Sequence, residues 1–437
     1  MPDKPEFVKL HNQVKHYDWG SPLWIPQLLG AENPEGRPWA ELWMGTHGSS
    51  SSTVNAGQKE ISLGDFIACD VRRCLGEEAA RKYGGLPFLF KLLAAERPLS
   101  IQAHPSLSLA REGFSRENSE GIALDDPRRN YKDSDHKPEI ICGLTPFTGM
   151  CGFREPEEIG RLLGEFLVPG NTGISASTPA APDSLRSGMT PLLIALENQD
   201  SAAALKQFLT ALFALAPDSR KQLGEYILAA GHERLAAARQ AHTANAAGEF
   251  SGLSPAIWET MICLAELYPD DPAIISPLYL HLFQLRPGEA VFLPAGTLHA
   301  YIYGFGVELM ANSDNVLRGG LTSKYVDAEE LIKILDFTPM RPNIIVPPEA
   351  AGRYTYPAPC GEFSLAVMRG GEENETIFQT VPAICLVISG ELEITGKTDR
   401  AVFKQGESVF IPHDSPGLVF RGKFTLYAAS VPATSAT

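Results

Sequence analysis

Apolar and polar positions alternate over short distances in the first third of the chain. From residue 6 to about residue 154, short apolar runs are broken by Gly, Pro, Ser and Asn, for example FLFKLL at 88–93, SIQAH at 100–104 and PEIIC at 138–142. Such runs between turn residues predict β-strands, and helical spacing is found near 63–83 and 107–117. This region is therefore expected to be mainly β.

The pattern changes after Arg154. The stretch EPEEIGRLLGEFL at 155–167 carries a helical start signal, and residues 191–268 are rich in Ala, Leu, Glu and Gln at helical spacing. Between them, the Ser-, Pro-, Gly- and Ala-rich segment 171–188 has little apolar periodicity and is expected to be a mobile loop. Strand signals return from Pro277 and resume after a Pro-rich join at 340–350. The pattern thus predicts helices inserted into a β framework.

A repeat links the two β regions that follow the helices. Residues 288–294 read GEAVFLP and residues 406–412 read GESVFIP. A Gly turn leading into an alternating strand that ends at Pro is typical of a hairpin in a small antiparallel barrel or jelly roll, so two such barrels are expected. His299 follows the first Pro by five residues, whereas Gly417 stands at the matching place in the second copy. The second barrel is therefore expected to be chemically silent.

Composition narrows the function classes. Asp and Glu outnumber Lys and Arg by 52 to 37, a formal net charge of -15, so nucleic acid and anionic membranes are not expected partners. The N-terminal residues MPDKPEFVKL are charged, and the most apolar run, LPFLFKLLAA, is short and contains Lys91, so neither a signal peptide nor a membrane span is predicted. At 437 residues the chain is long enough for two or three domains, and a cytoplasmic protein is expected.

Candidate metal ligands are nitrogen and oxygen atoms, because the seven cysteines form no Cys-x-x-Cys pair. Gln102 and His104 are two residues apart in a predicted strand and therefore project from one face. Glu139 begins a further apolar run. Each of these side chains could instead be structural, as a buried histidine, a surface carboxylate or a hydrogen-bonding amide. The combination is what indicates a site.

Another motif supplies a second histidine. Residues 288–299 have the spacing Gly-x5-Pro-x-Gly-x2-His, which resembles the second signature of the cupin superfamily, whose histidine points into the barrel and binds a metal. Tyr303 replaces the asparagine that often closes this signature. Two imidazoles, a carboxylate and an amide oxygen would leave a divalent zinc electrophilic enough to polarise a sugar carbonyl. The four candidate ligands are Gln102, His104, Glu139 and His299.

Motifs along nearly the whole chain resemble the type I phosphomannose isomerase family. They are YDWGS at 17–21, AELWMGTH at 40–47, LPFLFK at 86–91, SIQAHP at 100–105, NYKD at 130–133, HKPE at 136–139 and VELMANSDNVLRGGLTSKY at 307–325. The family usually has proline where Ser323 stands. The resemblance implies zinc-assisted interconversion of D-mannose 6-phosphate and D-fructose 6-phosphate through a cis-enediol, with one zinc per chain. It places the family's zinc ligands on Gln102, His104, Glu139 and His299.

The resemblance also implies roles for residues that the sequence alone leaves open. The family's essential arginine matches Arg318, otherwise an ordinary loop arginine, whose guanidinium could hold the phosphate or stabilise an enediolate. Several residues could be the base that carries a proton between C2 and C1. Glu308 is favoured for this transfer, and the pair His136 and Lys137 for ring opening.

Side chains are expected to bind the phosphate, because the chain has no Gly-rich loop of the Gly-x4-Gly-Lys type. The candidates are Arg318, Lys324, Ser100 and Lys91. Lys91 could instead be a lysine at the edge of a sheet. Trp19 and Glu41 are expected to line the pocket, although tryptophans are more often core residues.

These inferences predict a mainly β fold with an inserted α-helical domain, made of two cupin-like jelly-roll barrels and a helical domain. The expected domains are a discontinuous catalytic zinc-binding cupin domain (1–154 with 270–340), a helical domain (155–269) and a degenerate C-terminal cupin domain (341–437). The expected partner is a small phosphosugar substrate, and the chain is expected to be a monomer.

Two other functions fit parts of the pattern. A different metal-dependent cupin enzyme, such as an iron dioxygenase, would place similar ligands in the same barrel, but such sites tend towards more histidines and do not call for the Arg and Lys at 318 and 324. A non-catalytic sugar-binding cupin would keep the barrel, yet it needs neither zinc nor an arginine beside an acidic strand. The isomerase is therefore the preferred interpretation.

Overall fold

The computed structural model describes residues 5–57, 59–168, 180–244, 253–349, 352–371, 376–378 and 381–432. The strands in these ranges are β1 (Val8–Leu10), β2 (Gln13–Lys15), β3 (Glu41–His47), β4 (Ser50–Ser51), β5 (Thr53–Ala56), β6 (Lys59–Ser62), β7 (Phe88–Ala95), β8 (Ile101–Ala103), β9 (Glu139–Gly143), β10 (Phe147–Phe153), β11 (Leu280–Leu285), β12 (Ala290–Leu293), β13 (His299–Ala311), β14 (Leu317–Gly320), β15 (Ile344–Ile345), β16 (Arg353–Tyr356), β17 (Ser364–Arg369), β18 (Thr376–Ile377), β19 (Ala383–Thr395), β20 (Arg400–Lys404), β21 (Ser408–Ile411), β22 (Val419–Arg421) and β23 (Phe424–Ser430).

The helices are grouped mainly in the middle of the chain. They are α1 (Trp24–Leu29), α2 (Leu63–Ala68), α3 (Val71–Leu75), α4 (Glu77–Tyr83), α5 (Leu107–Ser119), α6 (Pro156–Leu167), α7 (Asp183–Ala195), α8 (Ser201–Phe213), α9 (Pro217–Ala244), α10 (Pro255–Leu267), α11 (Ser276–Tyr279) and α12 (Ala328–Ile334), with a 3-10 helix at Pro272–Ile275. Of the residues that the structure describes, 33% are helical and 30% are in strands, so the fold is mixed. The sheets are antiparallel, but helices throughout the chain together contribute as much regular structure as the strands, so the fold is less dominated by β-structure than predicted.

Two large sheets contain most of the strands, and every strand pair in the described ranges is antiparallel. In the larger sheet the order is β15-β12-β9-β13-β7-β3-β2, and β4, β8, β10, β11 and β14 pair beside this path. In the other large sheet the order is β1-β21-β19-β23-β17-β16, joined by β18, β20 and β22. Strands β5 and β6 form a separate pair.

Most of the elements predicted from the sequence are present. The three apolar runs at 88–93, 100–104 and 138–142 form β7, β8 and β9, and the helical spacing near 63–83 and 107–117 forms α2 to α4 and α5. Helix α6 starts with a proline in its first turn, as the start signal indicated. The predicted loop at 171–188 is partly wrong, because residues from Asp183 onwards belong to α7, and residues 171–179 lie outside the described ranges.

The sequence repeat corresponds to two turns of the same design. Gly288 and Gly406 both have positive φ, 89° and 83°, a conformation that favours glycine. The following glutamates each accept a hydrogen bond from the backbone three residues earlier: Oε2 of Glu289 from the amide of Arg286, and Oε2 of Glu407 from the amide of Lys404, both at 2.8 Å. The turns lead directly into β12 and β21.

The first strand departs from the predicted domain division. Although β1 lies at the start of the chain, it pairs with β21 in the sheet of the C-terminal strands. A hydrogen bond between the Asp399 carboxylate and the amide of Glu6, at 2.7 Å, adds to this contact. Residues 8–10 therefore belong structurally with the C-terminal strands.

The two large sheets also meet through a buried polar contact. Sγ of Cys142 on β9 lies 3.4 Å from the hydroxyl oxygens of Tyr356 on β16 and Tyr427 on β23. The Tyr356 hydroxyl donates to the carbonyl oxygen of Gly288 at 2.8 Å. In the part of the chain that the structure describes, no helix combines the length and apolarity needed to cross a bilayer.

Candidate metal centre and substrate pocket

The side chains of His104, Glu139 and His299 form a buried cluster, each residue being no more than 3% exposed. Nε2 of His104 lies 3.3 Å from Oε1 of Glu139, and Nε2 of His299 lies 3.4 Å from Oε2 of the same carboxylate. The three donor atoms all lie within 4.8 Å of one another, a spacing that one metal ion can bridge. Three of the four predicted ligands are therefore brought together.

Backbone pairing assembles this cluster from distant parts of the chain. His104 follows β8 directly, Glu139 begins β9 and His299 begins β13. Strand β13 pairs with both β8 and β9, so it joins the strands that carry the other two ligands. The order of the strands in the sheet, more than the local sequence, therefore brings the three side chains together.

Both imidazoles are held with one nitrogen facing the cluster. Nδ1 of His104 lies 2.7 Å from the carbonyl oxygen of Asn315, and Nδ1 of His299 lies 2.9 Å from that of Thr297. A carbonyl accepts only from an N–H, so each ring carries a hydrogen on Nδ1 and turns Nε2 towards Glu139. Burial lowers the pKa of His104 to about 4, which keeps this ring neutral and able to bind a metal.

The cluster fits a cation. Nε2 of His104 and Oε2 of Glu139 are buried and have no hydrogen-bond partner within the described residues. Burial alone would raise the pKa of Glu139, but its surroundings, among them the ammonium group of Lys137, hold it well below its usual range, so the carboxylate is ionised. Buried polar atoms without partners cost about 1–3 kcal/mol each, and a divalent cation would remove this cost. Two imidazole nitrogens and a carboxylate oxygen are a donor set typical of zinc.

Gln102 lies beside the cluster in the centre of a row of three strands. It is the direct partner of His299 on β13 and of Arg318 on β14. Directly opposed residues in antiparallel strands project from the same face, so all three side chains point the same way. Nε2 of Gln102 lies 3.5 Å from Nε2 of His299, which places the amide within reach of the same metal position.

A pocket of about 720 Å³ adjoins the cluster. Its walls are formed by residues of the larger sheet and its connecting loops, and by Leu267 and Tyr268 at the end of α10. Most of the residues that the sequence singled out line it: Trp19, Glu41, Lys91, Ser100, Gln102, Lys137, Glu139, Glu308, Arg318 and Lys324.

One wall of the pocket carries a buried acid–base group. Nζ of Lys91 lies 3.3 Å from Oε2 of Glu308 and 3.5 Å from Oε1 of Glu41, and the indole nitrogen of Trp43 donates to Oε2 of Glu41 at 2.8 Å. Burial would lower the pKa of Lys91, but the two carboxylates raise it above its usual value, so the amine stays charged. Burial raises the pKa of Glu308, against the opposing effect of Lys91. Strand β7 lies between β3 and β13, so Lys91 is not an edge lysine.

A β-bulge brings Glu308 to the same side as the metal cluster. On β13, Tyr301 and Tyr303 pair with the adjacent residues Gly149 and Thr148 of β10, which leaves Ile302 as an extra residue. The extra residue changes the alternation of the strand, so odd-numbered Tyr301 and even-numbered Glu308 both line the pocket.

One end of the pocket is cationic. Arg318 and Lys324 both line it, and Ser100 lies in the same wall. Burial, followed by the charge of Arg318, lowers the pKa of Lys324, and burial lowers that of Arg318. Neither side chain forms an ion pair with another described residue. Two neighbouring cations without an acidic partner are a site suited to a dianion.

Comparison with known proteins agrees with this geometry. The family model "Phosphomannose isomerase type I, catalytic domain" matches residues 7–156. The mannose-6-phosphate isomerase of Escherichia coli (strain K12) is 38% identical over 418 residues, which cover 95% of this chain and 97% of the relative. That of Bos taurus is 33% identical and covers 91% of each chain. The chain belongs to the type I phosphomannose isomerase family.

Solved structures of phosphomannose isomerases share the whole fold. The crystal structure of mannose 6-phosphate isomerase from Salmonella typhimurium, bound to substrate and to a zinc atom, has a TM-score of 0.80 and 35% sequence identity, and the match covers 98% of this chain and 100% of that chain. A zinc-bound structure described as the holo form matches with the same TM-score, identity and coverage.

One residue predicted for phosphomannose isomerase chemistry lies outside the pocket. His136 does not line it, and its Nε2 lies 3.2 Å from Oε1 of Glu362, in the connection between β16 and β17. In the extended segment before β9, neighbouring side chains point to opposite sides. Lys137 therefore turns inwards, with Nζ 3.3 Å from Oε1 of Glu139, and His136 turns outwards. The structure therefore places Lys137 in the pocket and His136 outside its lining, and a ring-opening role for these residues stays a prediction.

The site also contains residues that the sequence did not single out. Asn315 is fully buried, its carbonyl accepts from His104, and its side chain binds the backbone of residues 132, 133 and 135. Tyr301 is buried in the pocket wall two residues after His299. Tyr301 could have been found from strand alternation next to a predicted ligand. Asn315 had no signal beyond its place in a shared motif.

Proposed function

We propose that this protein is a zinc-dependent mannose-6-phosphate isomerase, which interconverts D-mannose 6-phosphate and D-fructose 6-phosphate through a cis-enediol. The observation that carries this proposal is one pocket that holds a metal-binding cluster, a buried acid–base group and a cationic end. A phosphosugar has the three matching parts: vicinal oxygens, an acidic C–H bond between them and a phosphate.

Gln102, His104, Glu139 and His299 are proposed to hold one zinc ion. When bound, zinc supplies Lewis acidity that polarises a carbonyl oxygen and acidifies the neighbouring C–H bond. The residues around it fix its charge environment: one ionised carboxylate, two imidazoles and the nearby ammonium of Lys137.

Glu308 is proposed to transfer the proton. Its carboxylate takes the proton from C2 of the open-chain aldose, and the electron pair of the C2–H bond becomes the C1–C2 double bond of the enediol. The same proton is then delivered to C1, while the hydroxyl proton of the C2 oxygen is passed to the C1 oxygen, so that C2 becomes the ketone carbon and C1 carries a hydroxyl group. A raised pKa suits this exchange, because it makes the carboxylate a stronger base, which can accept the proton and then return it.

Lys91 and Lys137 are proposed to support this chemistry from either side of Glu308. Lys91 stays charged beside Glu308 and balances negative charge that develops on the enediol oxygens. Lys137 lies against Glu139 and lines the pocket, so ring opening is assigned to this residue without His136.

Arg318, Lys324 and Ser100 are proposed to bind the phosphate, with Trp19 and Glu41 in the walls that contact the sugar. Fixing the phosphate at the cationic end would leave C1 and C2 towards the metal cluster, because Arg318, Gln102 and His299 stand in one row across three strands. The binding energy of the phosphate would thus orient the reacting carbons.

The finer architecture is also a proposal. The matched turns at Gly288 and Gly406 support two cupin-like jelly-roll barrels, of which the one with residues 1–154 and 270–340 is catalytic and the one with 341–437 is degenerate. Residues 155–269 would form the helical domain, and β1 would be assigned to the C-terminal barrel with which it pairs. A monomer located in the cytoplasm fits this organisation.

Conversion of mannose 6-phosphate in deuterated solvent tests the function. We expect fructose 6-phosphate to form and deuterium to appear at C1 or C2, since the transferred proton can exchange while it is on the base. Free mannose is the matched control and should be a far weaker substrate, because it lacks the phosphate. Absence of turnover by folded, zinc-loaded protein would contradict the proposal and leave the binding protein or another metal enzyme to be tested.

A further inference from the structure

A carboxylate behind the cationic end of the pocket connects two segments of the backbone. Oδ1 of Asp271 accepts from the amide of Ala273 at 2.9 Å, which caps the 3-10 helix at Pro272–Ile275. Oδ2 of the same carboxylate accepts from the amide of Leu321 at 2.6 Å. Asp271 thus ties the end of the helical segment to the loop that follows β14.

Leu321 has an unusual backbone conformation. Its φ is 56°, and it is the one non-glycine residue with positive φ among those that the structure describes. For a residue with a Cβ atom, the left-handed region is unfavourable, because Cβ comes too close to the following carbonyl oxygen. Such strain persists where the surroundings enforce it, and it is concentrated at functional sites.

The surroundings hold this turn from two sides. The Leu321 side chain is 1% exposed and packs in the hydrophobic core that contains the helices. At the preceding residue, Gly320, a Cβ atom would lie 2.5 Å from Cβ of Ala273 and 3.0 Å from Oδ1 of Asp271. The loop therefore sits directly on the capped 3-10 helix, with no space for a side chain between them.

The turn lies between the two cations of the pocket. Arg318 is three residues before Leu321 on β14, and Lys324 is three residues after it. Leu321, Thr322, Ser323 and Lys324 all line the pocket with Arg318. The left-handed residue therefore lies midway between two cations that face the same pocket.

We propose that Asp271 is a positioning residue for the anion-binding loop at 318–324: it holds Leu321 in the left-handed turn that brings Lys324 and Arg318 to the same phosphate. This inference rests on the proposed function for the identity of the anion. It assigns a role to the junction with the helical segment, which would set the affinity for the phosphate without touching the substrate.

The consequence for binding follows from the strain. Without the carboxylate, the amide of Leu321 loses its partner and the residue relaxes to negative φ, which moves Lys324 away from Arg318. The loss should weaken phosphate binding by on the order of tenfold, the equivalent of about 1.4 kcal/mol. Asp271 does not line the pocket, so the turnover number should change much less than KM.

The test measures the affinity of the zinc-loaded enzyme for inorganic phosphate by calorimetry, together with KM and kcat for mannose 6-phosphate. Asp271→Ala is expected to weaken phosphate binding and raise KM about tenfold, and Asp271→Asn, which keeps one acceptor oxygen, is expected to give an intermediate effect. Asp270→Ala removes the same charge from an exposed neighbouring position and is the matched control. It should leave both quantities unchanged.

A rescue experiment separates the backbone effect from general destabilisation. In the Asp271→Ala background, Leu321→Gly and Leu321→Ala both remove the buried side chain, but glycine alone adopts positive φ without cost. The glycine double variant should therefore bind phosphate more tightly than the alanine double variant. Equal affinities in the two, or an unchanged phosphate affinity in both single Asp271 variants, would overturn the inference. Failure of the wild-type enzyme to isomerise would instead count against the proposed function, since phosphate binding is measured separately.

Discussion

Lys91 and Glu308 oppose each other directly across strands β7 and β13, with Nζ of the lysine 3.3 Å from Oε2 of the glutamate. Met310, two residues beyond Glu308, pairs with the metal-cluster residue Glu139, so both carboxylates project from one face of the sheet. This arrangement connects the buried acid–base group with the metal centre through the pairing of three strands.

Replacing Glu308 tests its role as the base. Glu308→Gln keeps the size of the side chain but cannot accept a proton, so we expect kcat to fall by about 100-fold or more with little change in KM. Steady-state kinetics with mannose 6-phosphate, together with the rate of solvent deuterium incorporation, measure this. Near-normal turnover with continued exchange at C2 would exclude Glu308 as the base.

Replacing Lys91 and replacing Glu41, the two charged neighbours of Glu308, should shift the pH dependence of kcat in opposite directions. The base must be ionised, so activity falls as pH drops through the pKa of Glu308, which burial raises above the ordinary 4.5. Lys91 lowers this pKa and Glu41 raises it. Lys91→Met should therefore move the acid limb of the profile to higher pH, and Glu41→Gln should move it to lower pH. Shifts of the same sign in both variants would contradict this electrostatic account.

Asn315 should control the affinity for zinc without contacting it. Its carbonyl fixes the His104 tautomer, and its side-chain amide holds the loop at 132–135 that supports this carbonyl. We expect Asn315→Ala to weaken zinc binding by about 10- to 100-fold, measured by competition with a chelator. Asn55→Ala, at an exposed position, is the control. Unchanged zinc affinity in Asn315→Ala would show that the tautomer is fixed by other means.

Removing a single cation should separate phosphate binding from chemistry. Lys324→Ala is expected to raise KM for mannose 6-phosphate by about tenfold and weaken competitive inhibition by inorganic phosphate in proportion, with a smaller effect on kcat. Lys423→Ala, at an exposed position in the turn between β22 and β23, should change neither. Inhibition by phosphate that is unaffected in Lys324→Ala would exclude this lysine from the anion site.

The contact between the two large sheets should contribute to stability. Tyr356→Phe removes a hydroxyl that donates to Gly288 and contacts Cys142, so we expect the free energy of unfolding to fall by about 1 kcal/mol. Denaturant unfolding measures this, and turnover should be unaffected because Tyr356 lies outside the pocket. A large loss of activity in stable protein would instead indicate that the C-terminal sheet acts on the site.

Local patterns were sufficient to predict much of this site. Strand alternation placed Gln102 and His104 together, and the repeated Gly-Glu turn identified the strand that precedes His299. These inferences worked because the relevant contacts lie within a few residues, where periodicity and turn chemistry decide the structure.

Other features depend on contacts between distant residues and could not be predicted. The bulge at Ile302 decides which face Glu308 occupies, and it is defined by pairing with β10. The outward direction of His136 and the pairing of β1 with β21 are decided by segments more than 200 residues away. The left-handed turn at Leu321 could not be predicted, because the position has no glycine. Asp271 and the surrounding core enforce the conformation instead.

The most direct test of the central claim is the turnover of mannose 6-phosphate to fructose 6-phosphate by the purified protein, measured as isolated, after removal of metal by a chelator and after addition of zinc. Activity should be lost on chelation and restored by one zinc per chain. Full activity in protein shown to be free of metal, or no activity in folded protein with zinc bound, would contradict the claim.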